Sequence, residues 1–298
     1  MKFTFLFAFC LLMWNCTASF AQSTEKNDRS VNQMELRRKS KDILKKSIQV
    51  SRTNIEEAKN LALEGLMFAK KSESDSLILN ASKTLGILYK MLENIDSSQY
   101  YSKLGIQYAD KMDNKRVAAT LTTLVANTYT ESGQYETAYT YFYDAEQRYS
   151  VLNRDSIDPT YFYFKINKAN LFNSLTLYDL MLEELFDAQR TADSIADTNF
   201  TTQILGSIAI GYKHYGDLKK STEYSKKSLN YVAHGELDEA IILTNIGNNF
   251  SRMKEVDSAL YYYGEARKIY TDRNAGDVSF CRLDLNVAEM YLENDRAN

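Results

Sequence analysis

Residues Ala126–Ala145 read ANTYTESGQYETAYTYFYDA. Small residues Ala126, Ala138 and Ala145 alternate with the aromatics Tyr129, Tyr135 and Phe142, and Gly133 stands between the two halves. This spacing predicts two helices joined by a tight turn at Gly133. The small residues fall where the helices touch, and the rings fill the gap between them.

The same register returns on either side. Gly86 is followed by Tyr89, Ser98, Ser102 and Gly105, and Ala169 by Phe172, Tyr178, Met181, Leu185 and Ala188. Ala209 precedes Tyr212, Gly216, Ser221, Ser225 and Ser228. Gly247 precedes Phe250, Val256, Ala259, Tyr263 and Ala266, and Ala288 precedes Tyr291. The starts at 86, 126, 169, 209, 247 and 288 lie 40, 43, 40, 38 and 41 residues apart. A period between about 20 and 50 residues marks a solenoid, and two helices of roughly sixteen to eighteen residues plus two turns account for it. The expected fold is all-α, an array over 35–298 of about six antiparallel helix pairs and a final unpaired helix. A single proline among 298 residues, Pro159, removes the usual helix breaker.

Small–x–x–aromatic, then Gly-x-Tyr, then Ala-x-x-x-Phe-x-x-Ala resembles the tetratricopeptide repeat (TPR) family. The copy at Ala126, Tyr129, Gly133, Tyr135, Ala138, Phe142 and Ala145 matches fully, and five further copies match in part. Two departures stand out: a period near 40 instead of the family's 34, and no closing proline in each unit. The resemblance implies an α-α superhelical solenoid with a concave groove lined by the first helix of each unit. It also implies a protein or peptide as the partner. Longer-period arrays of this family resemble those of exported bacterial proteins and of sensor kinases and transcription regulators.

The chain ends are read separately. Met1-Lys2 gives a positive start, Phe3–Trp14 is an apolar run, and Ser19 and Ala21 precede Gln22 as small residues. That run is short for a membrane span of ~20 residues and suits a signal peptide, 1–21, followed by a polar leader, 22–34. The expectation is export to the periplasm or cell envelope. Lipidation at Cys16 or an uncleaved anchor are the alternatives, and they are the only membrane attachment foreseen. Cleavage leaves Cys281 as the one remaining cysteine, expected to be a buried, inert thiol in the stripe Cys281, Leu285, Ala288 and Leu292. A second stripe, Phe280, Leu283, Val287 and Met290, gives the last helix two apolar faces. A terminal cap would carry a polar outer face, so the expectation is either that further repeats or an output domain follow, or that another surface covers that face.

Composition argues against nucleic acid as the partner. Net charge is −3, with 36 basic against 39 acidic residues well mixed, and no basic stripe. The basic run Leu36–Lys46, LRRKSKDILKK, reads as the solvated face of the first helix. No phosphate loop, Cys-x-x-Cys, His-Glu-x-x-His or Gly-x-Ser-x-Gly is present. His214 and His234 lie on different elements, and the carboxylates read as exposed. No catalytic residue, metal or cofactor is assigned. The candidate site is the groove, where the TPR resemblance implies asparagines holding a peptide backbone, each amide both donor and acceptor. One residue after the small position stand Asn127, Asn170 and Asn248, and two before it Asn167, Asn245 and Asn286. The pairs Asn127 with Asn167 and Asn248 with Asn286 resemble those of peptide-clamping members. Thr123, Gln203 and Ser207 stand where those members carry the basic residues that grip a terminal carboxylate. The expected protein is a non-enzymatic scaffold that binds protein or peptide. The alternative is the sensory input region of a signalling protein.

Overall fold

The computed structural model describes residues 30–152, 159–195 and 198–295. The expected signal peptide and residues 22–29 of the leader lie outside them. Residues 30–34, expected in the leader, belong to the first helix, α1, which covers 30–50. There follow α2 (Ile55–Lys71), α3 (Asp75–Met91), α4 (Ile95–Lys111), α5 (Lys115–Glu131), α6 (Tyr135–Ser150) and α7 (Pro159–Ser174). The series ends with α8 (Tyr178–Ile195), α9 (Thr198–Tyr215), α10 (Leu218–Leu229), α11 (Leu237–Arg252), α12 (Val256–Asp272) and α13 (Asp277–Asp295). Among the described residues there is no strand.

The period has a local origin. Helices α2, α3, α4 and α5 are each 17 residues long, and a three-residue turn follows each one. A helix and its turn take 20 residues, so a pair takes 40. Each turn closes in the same way, with one residue in the left-handed region: Glu73, Glu93, Asp113 and Gly133. The amide of the next residue donates back to the helix, as Asn94 N does to Tyr89 O at 2.9 Å and Gln134 N to Tyr129 O at 2.9 Å. Thr176, Gly216, Lys254 and Asn274 repeat the device further on. It satisfies carbonyls that the helix end leaves without partners. The N-termini are capped in turn: Asn54, Asn94 and Asp217 each accept a backbone amide of the first turn through the side chain.

Two compact units divide the chain, Met1–Thr128 and Tyr129–Asn298, the division falling in the last turn of α5. In the first unit consecutive helices α2, α3 and α4 pack in order. Their core is built on Leu44, Ala62, Leu66, Ile78 and Leu85, with α2's small stripe Ala58, Ala62 and Ala69 fully buried. In the second unit consecutive helices again pack in order from α6 to α13, and α7 touches α9 as α11 touches α13. Helix α7 therefore lies beside α9, and α11 beside α13. Phe162, Leu185, Ile204 and Ile208 centre one core, and Tyr263, Tyr270, Leu283 and Met290 another.

Aromatic stacking links the two helices of a hairpin at a fixed offset of twelve residues. Tyr89–Tyr101 in the first unit and Tyr129–Tyr141, Tyr212–Tyr224 and Phe250–Tyr262 in the second each have ring centroids 5.4 Å apart and nearly parallel planes. Offset stacks of this kind add stabilisation beyond the area they bury.

Helix α13 corrects one expectation. Leu283 and Met290 are 1% exposed against α12, so the stripe containing Phe280 and Val287 is the docked one. The stripe through Cys281 faces outward: Cys281 is exposed, and Leu285 and Leu292 are each 57% exposed. With its second apolar stripe on α12, the helix turns the first to solvent, and the thiol goes with it.

Candidate functional site

The asparagines at the expected groove positions sit on odd-numbered helices: Asn127 on α5, Asn167 and Asn170 on α7, Asn248 on α11 and Asn286 on α13. Asn127 belongs to the first unit and the others to the second. Asn167 donates Nδ2 to Tyr163 O at 2.8 Å, which leaves its Oδ1 to accept. Asn170 is exposed. Asn248 Oδ1 accepts from the Tyr263 hydroxyl of α12 at 2.7 Å, so one end of that amide is held within the fold. Burial pushes the Tyr263 phenol up to about 12, so it stays a donor at neutral pH. Asn245, one turn earlier on α11, borders a cavity between α9, α10 and α11.

The next residue along, Asn249, is the one the repeat register passed over. It is 1% exposed. Its Nδ2 donates to Ser221 Oγ at 2.8 Å and reaches Thr222 Oγ1 at 3.3 Å. Thr222 spends its own hydrogen on Leu218 O, which fixes the amide's orientation. Asn249 Oδ1 is buried without a partner. An asparagine two residues after the small position, where other copies place Leu171, Gly211 or Met290, is the signal that marks it.

The densest group of charges, expected to be exposed, has buried members. Lys165 Nζ lies 2.8 Å from Glu184 and 2.7 Å from Asp187, and Lys168 Nζ lies 2.8 Å from Glu184 and 3.0 Å from Glu146. The side chains of Lys165, Lys168 and Glu184 are 8%, 10% and 11% exposed. Burial alone would push the Lys165 ammonium down, but its hydrogen bonds to Asp187 and Glu184 reverse this and hold it above the ordinary lysine value. Burial likewise works against the Asp187 carboxylate, and the Lys165 bond more than offsets it, leaving Asp187 below its ordinary value. The Tyr161 hydroxyl donates to Asp187 at 3.0 Å. The offset of twelve from Phe172 falls on Glu184. In this one hairpin a carboxylate and two lysines replace the stacked ring. Each charge finds its partner inside the cluster, an arrangement that holds α6, α7 and α8 together and leaves no group poised for proton transfer.

The histidines remain apart. His214 stacks on Tyr178 with centroids 5.8 Å apart, and His234 Nδ1 meets Glu239 at 3.0 Å. Among the described residues no three His, Cys, Asp or Glu side chains converge as a metal site.

No family model matches the chain, and no curated protein matches it. Solved structures do. A structure of BtubC (BKLC) from P. vanneervenii superposes with TM-score 0.60 at 15% identity, covering 78% of this chain and 93% of the other. A STAND protein with a tetratricopeptide repeat sensor from Pyrococcus horikoshii gives TM-score 0.62 at 14% identity, over 80% of this chain but 35% of that longer one. A kinesin light chain with nearly identical TPR-like repeats from Podosopora anserina gives TM-score 0.57 at 11% identity, over 66% and 97%. Helix pairs in register, turns of one kind and these likenesses agree: the chain has the tetratricopeptide-repeat-like fold, an all-α solenoid of helix pairs.

Proposed function

We propose that this protein is a non-enzymatic scaffold that holds an extended segment of a partner protein along its odd-numbered helices. The observation that carries the reading is an amide doublet that occurs twice in the second unit. Asn167 and Asn170 on α7, and Asn245 and Asn248 on α11, are three residues apart and share a helix face. One turn before each doublet stands an exposed apolar side chain, Tyr163 at 46% and Ile241 at 50%. Neighbours at that spacing lie about 5–6 Å apart, close to the ~6.6 Å two-residue repeat of an extended chain. An amide pair can thus meet the backbone while the apolar neighbour meets a side chain. Asn127 and Asn286 occupy single positions of the same register. The test is to select peptide ligands from a display library and remeasure them on Asn167→Ala/Asn170→Ala. A loss of about tenfold, or 1.4 kcal/mol, is expected, and unchanged affinity would remove the amides from the site.

Export belongs to the same proposal, on the strength of the apolar run Phe3–Trp14 and the small residues before Gln22. N-terminal sequencing of the native protein should begin at Gln22 in the envelope fraction, and an intact Met1 in the cytoplasm would refute it. A second reading, the sensory input region of a signalling protein, is favoured by the outward stripe on α13 and by likeness to the sensor-bearing STAND protein. A native mass well above 34.3 kDa would support it.

A further inference from the structure

In the second unit, helices α9 and α11 both pack on α10. Between the three lies a cavity of about 30 Å³, with Lys213 and Asn245 on its walls and Ser221 and Asn249 also lining it. That space holds roughly two water-sized groups. Most of the lining residues of α9 and α10 are small, Gly206, Ala209 and the three serines of α10, beside Ile210 and Lys213, and the small ones leave the gap between the helices.

The charge around this cavity is one-sided. Lys213 and His214 occupy the last turn of α9 and Arg252 the last turn of α11. Among the described residues none of the three has a carboxylate partner. Burial pushes the half-buried Lys213 ammonium below its ordinary value, and the Arg252 guanidinium pushes it the same way. Burial, Lys213 and Arg252 in turn depress His214. Helix C-termini favour cations, but each carries only about half a negative charge, less than the full charges placed there. Elsewhere in this unit buried cations are surrounded by carboxylates, as Lys165 and Lys168 are by Glu184, Asp187 and Glu146. Mutually repelling cations, one of them on the cavity wall, with a buried amide oxygen left over, describe a site whose counter-charge comes from outside.

We propose that this cavity is an anion subsite that takes the side-chain carboxylate of an acidic residue within the bound peptide. Lys213 makes the contact and Arg252 adds to the field. Asn249 Oδ1 and a carboxylate both accept hydrogen bonds, so one carboxylate oxygen and one water fill the space, the water donating one hydrogen to each acceptor. Asn245, on the cavity wall, holds the peptide backbone alongside. The inference rests on the peptide-groove reading and adds the chemical class of its ligand.

The experiment compares four short peptides, each acetylated and amidated at its ends, with glutamate, glutamine, lysine or phosphoserine at the variable positions. Binding to the full chain is read by fluorescence anisotropy at low and high salt. The glutamate peptide should bind at least about tenfold more tightly than the glutamine one and weaken with salt. Lys213→Gln and Arg252→Gln should each remove that preference, while Lys213→Arg, which keeps the charge, retains most of it. Equal binding of glutamate and glutamine peptides, unaltered by Lys213→Gln, would overturn the anion subsite and leave the groove standing. Failure of every peptide to bind would overturn both. Binding confined to a phosphoserine peptide would overturn the assignment to a carboxylate.

Discussion

The Tyr263 hydroxyl reaches from α12 to donate to Asn248 Oδ1 on α11 at 2.7 Å. A residue at an expected peptide-binding position is thereby oriented by a buried ring of its own hairpin. Tyr263→Phe keeps the ring and removes the donor. The expected cost is about 1 kcal/mol of stability by denaturant unfolding, together with a freer Asn248 and an altered affinity for any groove-bound peptide. A melt indistinguishable from the parent's would show that the bond contributes nothing.

The same ring explains why position 247 is small. A Cβ built on Gly247 would lie 2.6 Å from Tyr263 Cε1, well inside van der Waals contact. Gly247→Ala should therefore cost about 1–3 kcal/mol, although alanine is the better helix former. A gain in stability would mean that the ring can shift without penalty.

Glu184 answers two buried lysines, so removing it leaves Lys165 to Asp187 and Lys168 to Glu146. Glu184→Ala should destabilise by about 1–3 kcal/mol, the cost of leaving two buried ammonium groups each short of one hydrogen-bond partner. The double variant Glu184→Leu/Lys165→Leu should be much less affected than the sum of its parts. A double-mutant cycle by urea unfolding checks this, and strict additivity would remove Glu184 from the lysines' company.

Asp187 makes stability depend on pH with a definite sign. Its folded value is depressed below the ordinary 3.8. Its contribution is thus fully present above that ordinary value and is lost as pH falls through the lower folded one. Urea melts of the parent and of Asp187→Asn should differ at neutral pH and converge in strong acid. A gap that stayed constant down the whole range would contradict the pairing with Lys165.

Thr176 sits in the left-handed region at φ 58°, where a β-branched side chain is strained. Thr176→Gly should raise stability by about 1 kcal/mol despite glycine's greater freedom in the unfolded chain. Glu93→Gly, at φ 56°, should act in the same direction. A lower melting temperature for both would show that their side chains do more than close a turn.

The repeat itself was legible because each hairpin spells it with residue size. Ala126, Ala138, Phe142 and Ala145 are all fully buried as their spacing demands, and Gly133 takes the left-handed turn. Other turns hid in plain composition. Glu73, Glu93, Asp113 and Lys254 adopt the same conformation as Gly133, and nothing in a charged residue announces a positive φ. Cys281 was misjudged because a two-striped helix does not say which stripe docks. Leu283 and Met290 took the contact, and the thiol was left outside. The lysine–carboxylate cluster escaped because burial of Glu184 depends on which helix lies across from it. Only the offset of twelve from Phe172, where a ring was due, hinted at its place. Asn249 was missed for a related reason, since adjacent asparagines point to different sides of one helix.

The four turns at 73, 93, 113 and 133 impose an arithmetic on how this molecule could change length. Excising 20 residues from one turn to the next would join chemically matching ends, yet it would exchange odd helices for even ones in everything that follows. Excising 40 residues preserves the parity of every helix downstream. Growth and shrinkage by whole pairs is therefore the route that alters the number of helices while keeping each one's place in its pair.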